Sequence, residues 1–166
     1  MTDEKNKVAE TLRAAIKGEE DGYRYYDYLA QKIGNVDAKR KLENLRDDEM
    51  RHKETLIGMF KKFVGGEVGR LPEKGLGALN EVFRDGRIDT LKNEMEFINL
   101  AIEVELATSK FYDREKNLVN DPEFQAIFDQ LADEEYNHYQ LLQAEKDALG
   151  GNYHWFSYDS TSPMED

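Results

Sequence analysis

Two glutamates and a histidine recur as a set in this chain. Glu19 is followed 30 residues later by Glu49 and then by His52. Glu105 is followed 30 residues later by Glu135 and then by His138, and each member of the second set lies 86 positions after its counterpart in the first. Carboxylates and imidazoles are ligands for divalent metals. In Glu-x-x-His, positions i and i+3 share one helical face, so both side chains point the same way. A repeat that keeps three such side chains reads as two halves of one metal site. The metal-free alternative is a bundle that merely kept the pattern.

Charge supports the metal reading. Four ionised carboxylates in an apolar interior cost several kcal/mol each even after relaxation. Two divalent cations bring four positive charges and leave a neutral cluster. Carboxylates at two positions can bridge the ions while each histidine caps one. Oxygen ligands with one nitrogen per ion suit iron or manganese, although zinc or copper can bind such a set more tightly. The third histidine, His154, lies outside the repeat and reads as a surface or packing residue.

Residues beside the repeat extend it. Asp48 and Glu134 each stand four positions before a histidine, near the inner face. There they can accept the second imidazole N–H of the histidine from the opposite half, or else face solvent. Tyr26 and Tyr112 are also 86 positions apart, each seven residues after a glutamate of the repeat. They read as large core residues, as donors to ligand carboxylates, or as both. Tyr23, Tyr25, Tyr28, Tyr136 and Tyr139 read as mainly structural.

These residues need long helices to carry them. The 166-residue chain fits one domain with a real core. Charged residues make up 35% and apolar residues 39%, and mean hydropathy is −0.81. That balance fits amphipathic helices with one buried stripe. Four segments, proline-free past their first turn, show helical periodicity, from about Asp3 to Ile33, Asp37 to Val64, Asp89 to Val119 and Asp121 to Leu149. Val8, Leu12, Ala15, Ile16, Glu19, Tyr23, Tyr26 and Ala30 form the stripe of the first. Asp37 is expected to cap the second, and Asp121 with Pro122 the fourth. Short joints make the first and second segments one antiparallel hairpin and the third and fourth another. The glycine-rich stretch 65–88 is long enough to cross the length of a bundle, with a short helix expected at Leu76 to Arg84. The expected architecture is therefore all-α, a ferritin-like antiparallel four-helix bundle of two hairpins joined by a long crossover. It should occupy residues 1–150, with a tail over 151–166 that packs Trp155 and Phe156 on one end.

Composition also excludes some functions. A formal charge of −12 repels nucleic acid and anionic membranes and attracts cations. There is no cysteine, hence no thiolate zinc site or iron–sulfur cluster. The sequence opens without an apolar signal core and contains no stretch of transmembrane length, so a cytoplasmic protein is the expectation.

The strings Ala15-Ile16-Lys17-Gly18-Glu19 with Tyr26, and Leu45-Arg46-Asp47-Asp48-Glu49-Met50-Arg51-His52, resemble the rubrerythrin-like branch of the ferritin-like superfamily. So do Ala101-Ile102-Glu103-Val104-Glu105 with Tyr112, and Leu131-Ala132-Asp133-Glu134-Glu135-Tyr136-Asn137-His138. The resemblance covers roughly residues 5 to 148. It implies a pair of iron ions at a carboxylate-bridged centre that reduces hydrogen peroxide or dioxygen, in a bundle that forms a homodimer. The chain departs from the family in two ways. It has no four-cysteine rubredoxin-like domain, so electrons are expected from an external donor protein. Where the family carries a further glutamate one turn after the third-helix ligand, this chain has Thr108, and the equivalent place in the first half holds Gly22. Competing readings are a ferroxidase coupled to iron handling, a manganese catalase-like dismutase, and an interaction or stress protein with a structural metal pair.

Overall fold

Each helix is defined by a polar cap and a buried stripe. In the computed structural model, which describes residues 2–73, 75–76, 87–150 and 153–156, helix α1 spans Asp3–Lys32 and α2 spans Val36–Phe63. Helices α3 and α4 span Glu94–Glu115 and Pro122–Ala148. The Asp121 carboxylate accepts the Glu123 and Phe124 amides at 2.8 and 3.2 Å, and Pro122 takes the first helical position, where no N–H donor is needed.

Three boundaries differ from expectation. Asn35, not Asp37, caps α2 by accepting the Ala38 amide at 3.0 Å. Asp37 falls in the first turn, where its charge complements the helix dipole. α3 starts at Glu94 rather than Asp89, because residues Arg87–Thr90 form a 3-10 turn. Asn93 accepts the Glu96 amide at 2.9 Å while Glu96 reaches back to the Lys92 amide at 2.7 Å, a reciprocal cap that sets the start. α3 also stops at Glu115, short of Val119. On the α1 stripe Tyr23 is only half-buried, and Tyr25 is the fully buried ring, its hydroxyl donating to the Phe97 carbonyl at 2.7 Å.

The buried side chains form two clusters. One gathers Tyr25, Leu29, Leu42, Leu45, Ile98, Ala101, Leu142 and Trp155. The other gathers Leu12, Ile16, Leu56, Phe60, Tyr112, Phe124, Phe128 and Leu131. On every helix the gap between the clusters falls at the repeat: Glu19 on α1, Glu49 and His52 on α2, Glu105 on α3, Glu135 and His138 on α4. A polar layer is thus held between two apolar ones.

The same clusters give the topology. The C-terminal part of α1 shares a cluster with the N-terminal parts of α2 and α3 and the C-terminal part of α4. α1 therefore runs antiparallel to α2 and α3, and α2 ends at the opposite end of the bundle from the start of α3. The connector must cross about 40 Å, the length of a 28-residue helix. Gly65, at φ 93°, turns the chain out of α2, its amide bonding the Phe60 carbonyl at 3.0 Å. Arg13 of α1 donates to the Val68 carbonyl at 2.7 Å, and Leu76 packs against Gly18. The connector so far described climbs α1 towards the polar layer. The short helix expected at Leu76 to Arg84 lies outside the described residues, apart from Leu76 itself.

Of the tail, residues 153–156 are described, and the remainder of 151–166 is not. Trp155 is buried, and its carbonyl accepts the Gly34 and Asn35 amides of the α1–α2 joint at 3.1 and 3.0 Å. Glu94 accepts the Trp155 and Phe156 amides, both at 3.0 Å. Among the described residues no helix is long and apolar enough to cross a membrane.

Candidate metal centre

All six side chains of the repeat converge in the polar layer, and all are buried. They form two overlapping clusters whose ligand atoms lie within 4.8 Å of one another: Glu19, Glu49, His52 and Glu135 in one, Glu49, Glu105, Glu135 and His138 in the other. Glu49 and Glu135 belong to both. Glu135 shows why: its Oε1 is 2.9 Å from His52 Nδ1 and its Oε2 is 3.3 Å from His138 Nδ1. One carboxylate thus addresses both imidazoles. The two rings lie nearly parallel, 5.8 Å apart at an angle of 22°.

The second nitrogen of each ring is tied outward to the opposite hairpin. His52 Nε2 is 2.5 Å from Glu134 Oε2, and His138 Nε2 is 3.0 Å from Asp48 Oδ2. An N–H on Nε2 leaves Nδ1 as a lone pair facing inward. The tyrosines cross over in the same way. The Tyr26 hydroxyl donates to Glu105 Oε1 and the Tyr112 hydroxyl to Glu19 Oε1, so each hairpin holds the other's carboxylate. Burial, reinforced by the adjacent carboxylates, pushes both phenols well above their ordinary value and keeps them protonated donors.

The interior is therefore lined almost wholly by acceptors. Two of them, Glu19 Oε2 and Glu49 Oε1, are buried with no hydrogen-bond donor. Glu19 Oε2 lies 3.5 Å from His52 Nδ1, and Glu49 Oε1 lies 3.4 Å from His138 Nδ1. Carboxylate oxygens and imidazole lone pairs that face each other need protons or cations between them. Burial first, and then the neighbouring carboxylates, push Glu49 and Glu135 well above the ordinary carboxylate range. Burial works in the same direction on Glu19 and Glu105, but the paired glutamate and the histidine close by, together with the tyrosine hydroxyl, outweigh it. Glu19 is lowered, and Glu105 falls to about 2. Burial lowers His52, yet Glu19, Glu49 and Glu134 outweigh it and raise the imidazole to about 9. Four acids and two imidazoles that must redistribute protons in order to coexist are the donor set two dications fit. Glu19 and His52 would hold one ion, Glu105 and His138 the other, with Glu49 and Glu135 shared.

Sequence reasoning missed two features. Arg51, which precedes His52, donates to both outer acids, 3.2 Å from Asp48 Oδ1 and 3.2 Å from Glu134 Oε2. Gln130 adds a bond to Glu134 Oε1 at 3.2 Å. The Asp48–Arg51 and Gln130–Glu134 pairs stand at i,i+3 and i,i+4 helical spacing. Nothing in residue spacing marks the Arg51–Glu134 bond, however, which depends on which faces of α2 and α4 meet. Asp48 is held down to about 2, first by His138 and further by Arg51.

Gly22 has a positive role besides marking the departure at that position. A Cβ there would lie 3.0 Å from Glu49 Oε2 and 3.3 Å from its Cδ. The shared carboxylate occupies the space a side chain would take. Gly22→Ala is expected to act in two directions. It should raise metal-free stability by about 1 kcal/mol through helix propensity, and weaken cobalt or iron binding about tenfold by displacing Glu49. Urea denaturation of the apoprotein and chelator competition measure the two effects separately.

A family model described as Rubrerythrin matches residues 10–146. No curated protein matches the chain. Among solved structures, the chain is similar to a hypothetical protein from Pyrococcus furiosus, at 27% identity and TM-score 0.70, over 86% of this chain and 89% of that one. It is similar in fold to a ferritin-like, diiron-carboxylate protein from Bacillus anthracis, at 20% identity and TM-score 0.71, over 88% and 99% of the two chains. A dodecameric thioferritin, the bacterioferritin-related protein of Bacteroides fragilis, aligns at 18% identity and TM-score 0.65, over 87% of each chain.

Proposed function

The chain belongs to the rubrerythrin family, and on that premise we propose that it is a non-haem di-iron oxidoreductase that reduces hydrogen peroxide or dioxygen. The observation that carries this reading is the pair of overlapping acceptor clusters that share Glu49 and Glu135. Four protein side chains per cluster would leave a bound divalent metal with positions open to a small oxidant. When bound, two ferrous ions would supply the two electrons that, with two protons, split the O–O bond of peroxide into two waters. An external donor protein returns the electrons, and the chain acts as a cytoplasmic homodimer in defence against oxidants.

The chain's own residues do the positioning. Glu134 and Asp48 keep the two imidazoles turned so that Nδ1 faces inward. Tyr26 and Tyr112 anchor Glu105 and Glu19 by one oxygen each, which leaves the second oxygen of each glutamate for the centre. The apolar layers on both sides keep bulk water from the site.

The test is anaerobic loading with Fe(II) followed by titration with peroxide. The expected result is oxidation of two irons per peroxide, far faster than for free Fe(II) at the same concentration. A rate equal to that of free Fe(II) sinks the oxidoreductase reading. If metal then raises the melting temperature without any turnover, the pair is structural.

A further inference from the structure

α1 packs chiefly on α2 and α3 chiefly on α4, whereas α2 and α4 make only slight backbone contact. Yet the two imidazoles face each other across that α2–α4 seam. Their orientation depends on acids from the opposite helix: Glu134 of α4 for His52, Asp48 of α2 for His138. Both acids are partly open to solvent, with side chains 25% and 40% exposed, so neither is held by packing alone.

Arg51 joins them. One guanidinium nitrogen reaches Asp48 Oδ1, leaving Oδ2 for His138. The other reaches Glu134 Oε2, the same oxygen that meets His52. The result is a continuous chain, His138–Asp48–Arg51–Glu134–His52, that spans the seam. A planar fork with two donor directions can serve two acids at once, which an ammonium point charge cannot do with the same geometry.

We propose that Arg51 is a positioning residue for both halves of the metal centre: it fixes Asp48 and Glu134 together and so aims both inward-facing Nδ1 atoms. An exposed ion pair contributes little to folding, and the Arg51 side chain is 51% exposed. The effect of Arg51 therefore falls on metal affinity. Loss of an outer partner of a ligating histidine typically costs 10–100-fold in affinity. For Arg51 that cost applies to both ions, whereas for Asp48 or Glu134 alone it falls mainly on one. The proposal rests on the reading of the site as a metal pair.

The experiment is anaerobic titration of the full chain with Co(II) against a chromophoric chelator, with cobalt visible bands as the second readout. Arg51→Gln should weaken both binding steps by about tenfold or more and shift the cobalt bands. Its apoprotein should melt within about 4 °C of wild type. Arg51→Lys, which keeps the charge and loses the fork, should also bind weakly. Asp48→Asn and Glu134→Gln should each weaken mainly one step. An R51Q or R51K isotherm that overlays the wild type, or one in which only a single step is weakened, overturns the proposal. Wild type that binds no cobalt overturns the metal-pair reading with it. Wild type that binds two ions, with R51Q unchanged, overturns only the role of Arg51.

Discussion

Replacing Glu49 and Glu135 together by glutamine is expected to stabilise the metal-free protein while abolishing its binding of two dications. Both carboxyls are buried in both clusters, and both are pushed well above the ordinary range, by burial first and then by the neighbouring carboxylates. At neutral pH the unfolded chain carries them ionised. On folding, each must either take up a proton or bear the repulsion, and both options cost free energy. Glutamine does neither. It keeps the length and the hydrogen-bonding capacity of the side chain, and its N–H groups can donate to Glu19 and Glu105. Neutral replacement of buried ions of similar volume gains about 1–4 kcal/mol, and each kcal/mol raises the melting temperature by roughly 2–4 °C in a domain of this size. Thermal melts in the presence of chelator measure the gain, and cobalt titration measures the loss. A variant that melts below the wild-type apoprotein would show that the two carboxylates are a structural asset. The interior would then not be a strained vessel awaiting cations.

That strain is why so much of the centre could be read without coordinates. Six ligand-type residues that repeat at one offset, on helices whose other faces are apolar, leave few arrangements. The structure brings Glu19, Glu49, His52, Glu105, Glu135 and His138 into one layer because helical period and hairpin symmetry act on each of them locally. The repeat likewise pointed to Tyr26 and Tyr112 but left open which carboxylates they touch, because that depends on how α1 lies against α3. The crossed pairing, Tyr26 to Glu105 and Tyr112 to Glu19, is a property of packing.

Other features have no local code. Asp37 and Asn35 are both good caps two residues apart. Asn35 prevails where its own side chain meets the Ala38 amide and its own amide is bound by the Trp155 carbonyl from the far end of the chain. A reader of the sequence cannot know that the tail returns there. Arg51 is a surface-type residue in a surface-type position, and its role appears only once Glu134 is placed across the seam. The start of α3 is displaced from Asp89 to Glu94 for a similar reason: the Asn93–Glu96 cap competes with an equally plausible acidic start, and periodicity alone cannot rank them.

Stability of the metal-free and metal-loaded proteins is expected to move in opposite directions as pH rises from about 6 to 9. In the apoprotein Glu49 and Glu135 have raised values, so their contribution is full below the unfolded value of about 4.3 and shrinks as pH rises. His52, raised from 6.5 to about 9, contributes fully below 6.5 and loses that contribution by about 9. His138, also raised by its carboxylate partners against the effect of burial, works in the same direction. Glu105 and Asp48, each lowered to about 2, contribute above their unfolded values and lose stability only as pH falls towards 2. The apoprotein should therefore be most stable in mildly acidic solution and weaken steadily on the alkaline side. A dication reverses the slope, because it binds only after the shared carboxyls and both imidazole Nδ1 atoms have shed their protons, so affinity grows with pH. Paired melts of the chelated and the cobalt-loaded protein across this range should diverge with increasing pH. Parallel curves would mean that protons and metal do not compete for the same atoms, and the charge argument that places two ions among these residues would fail.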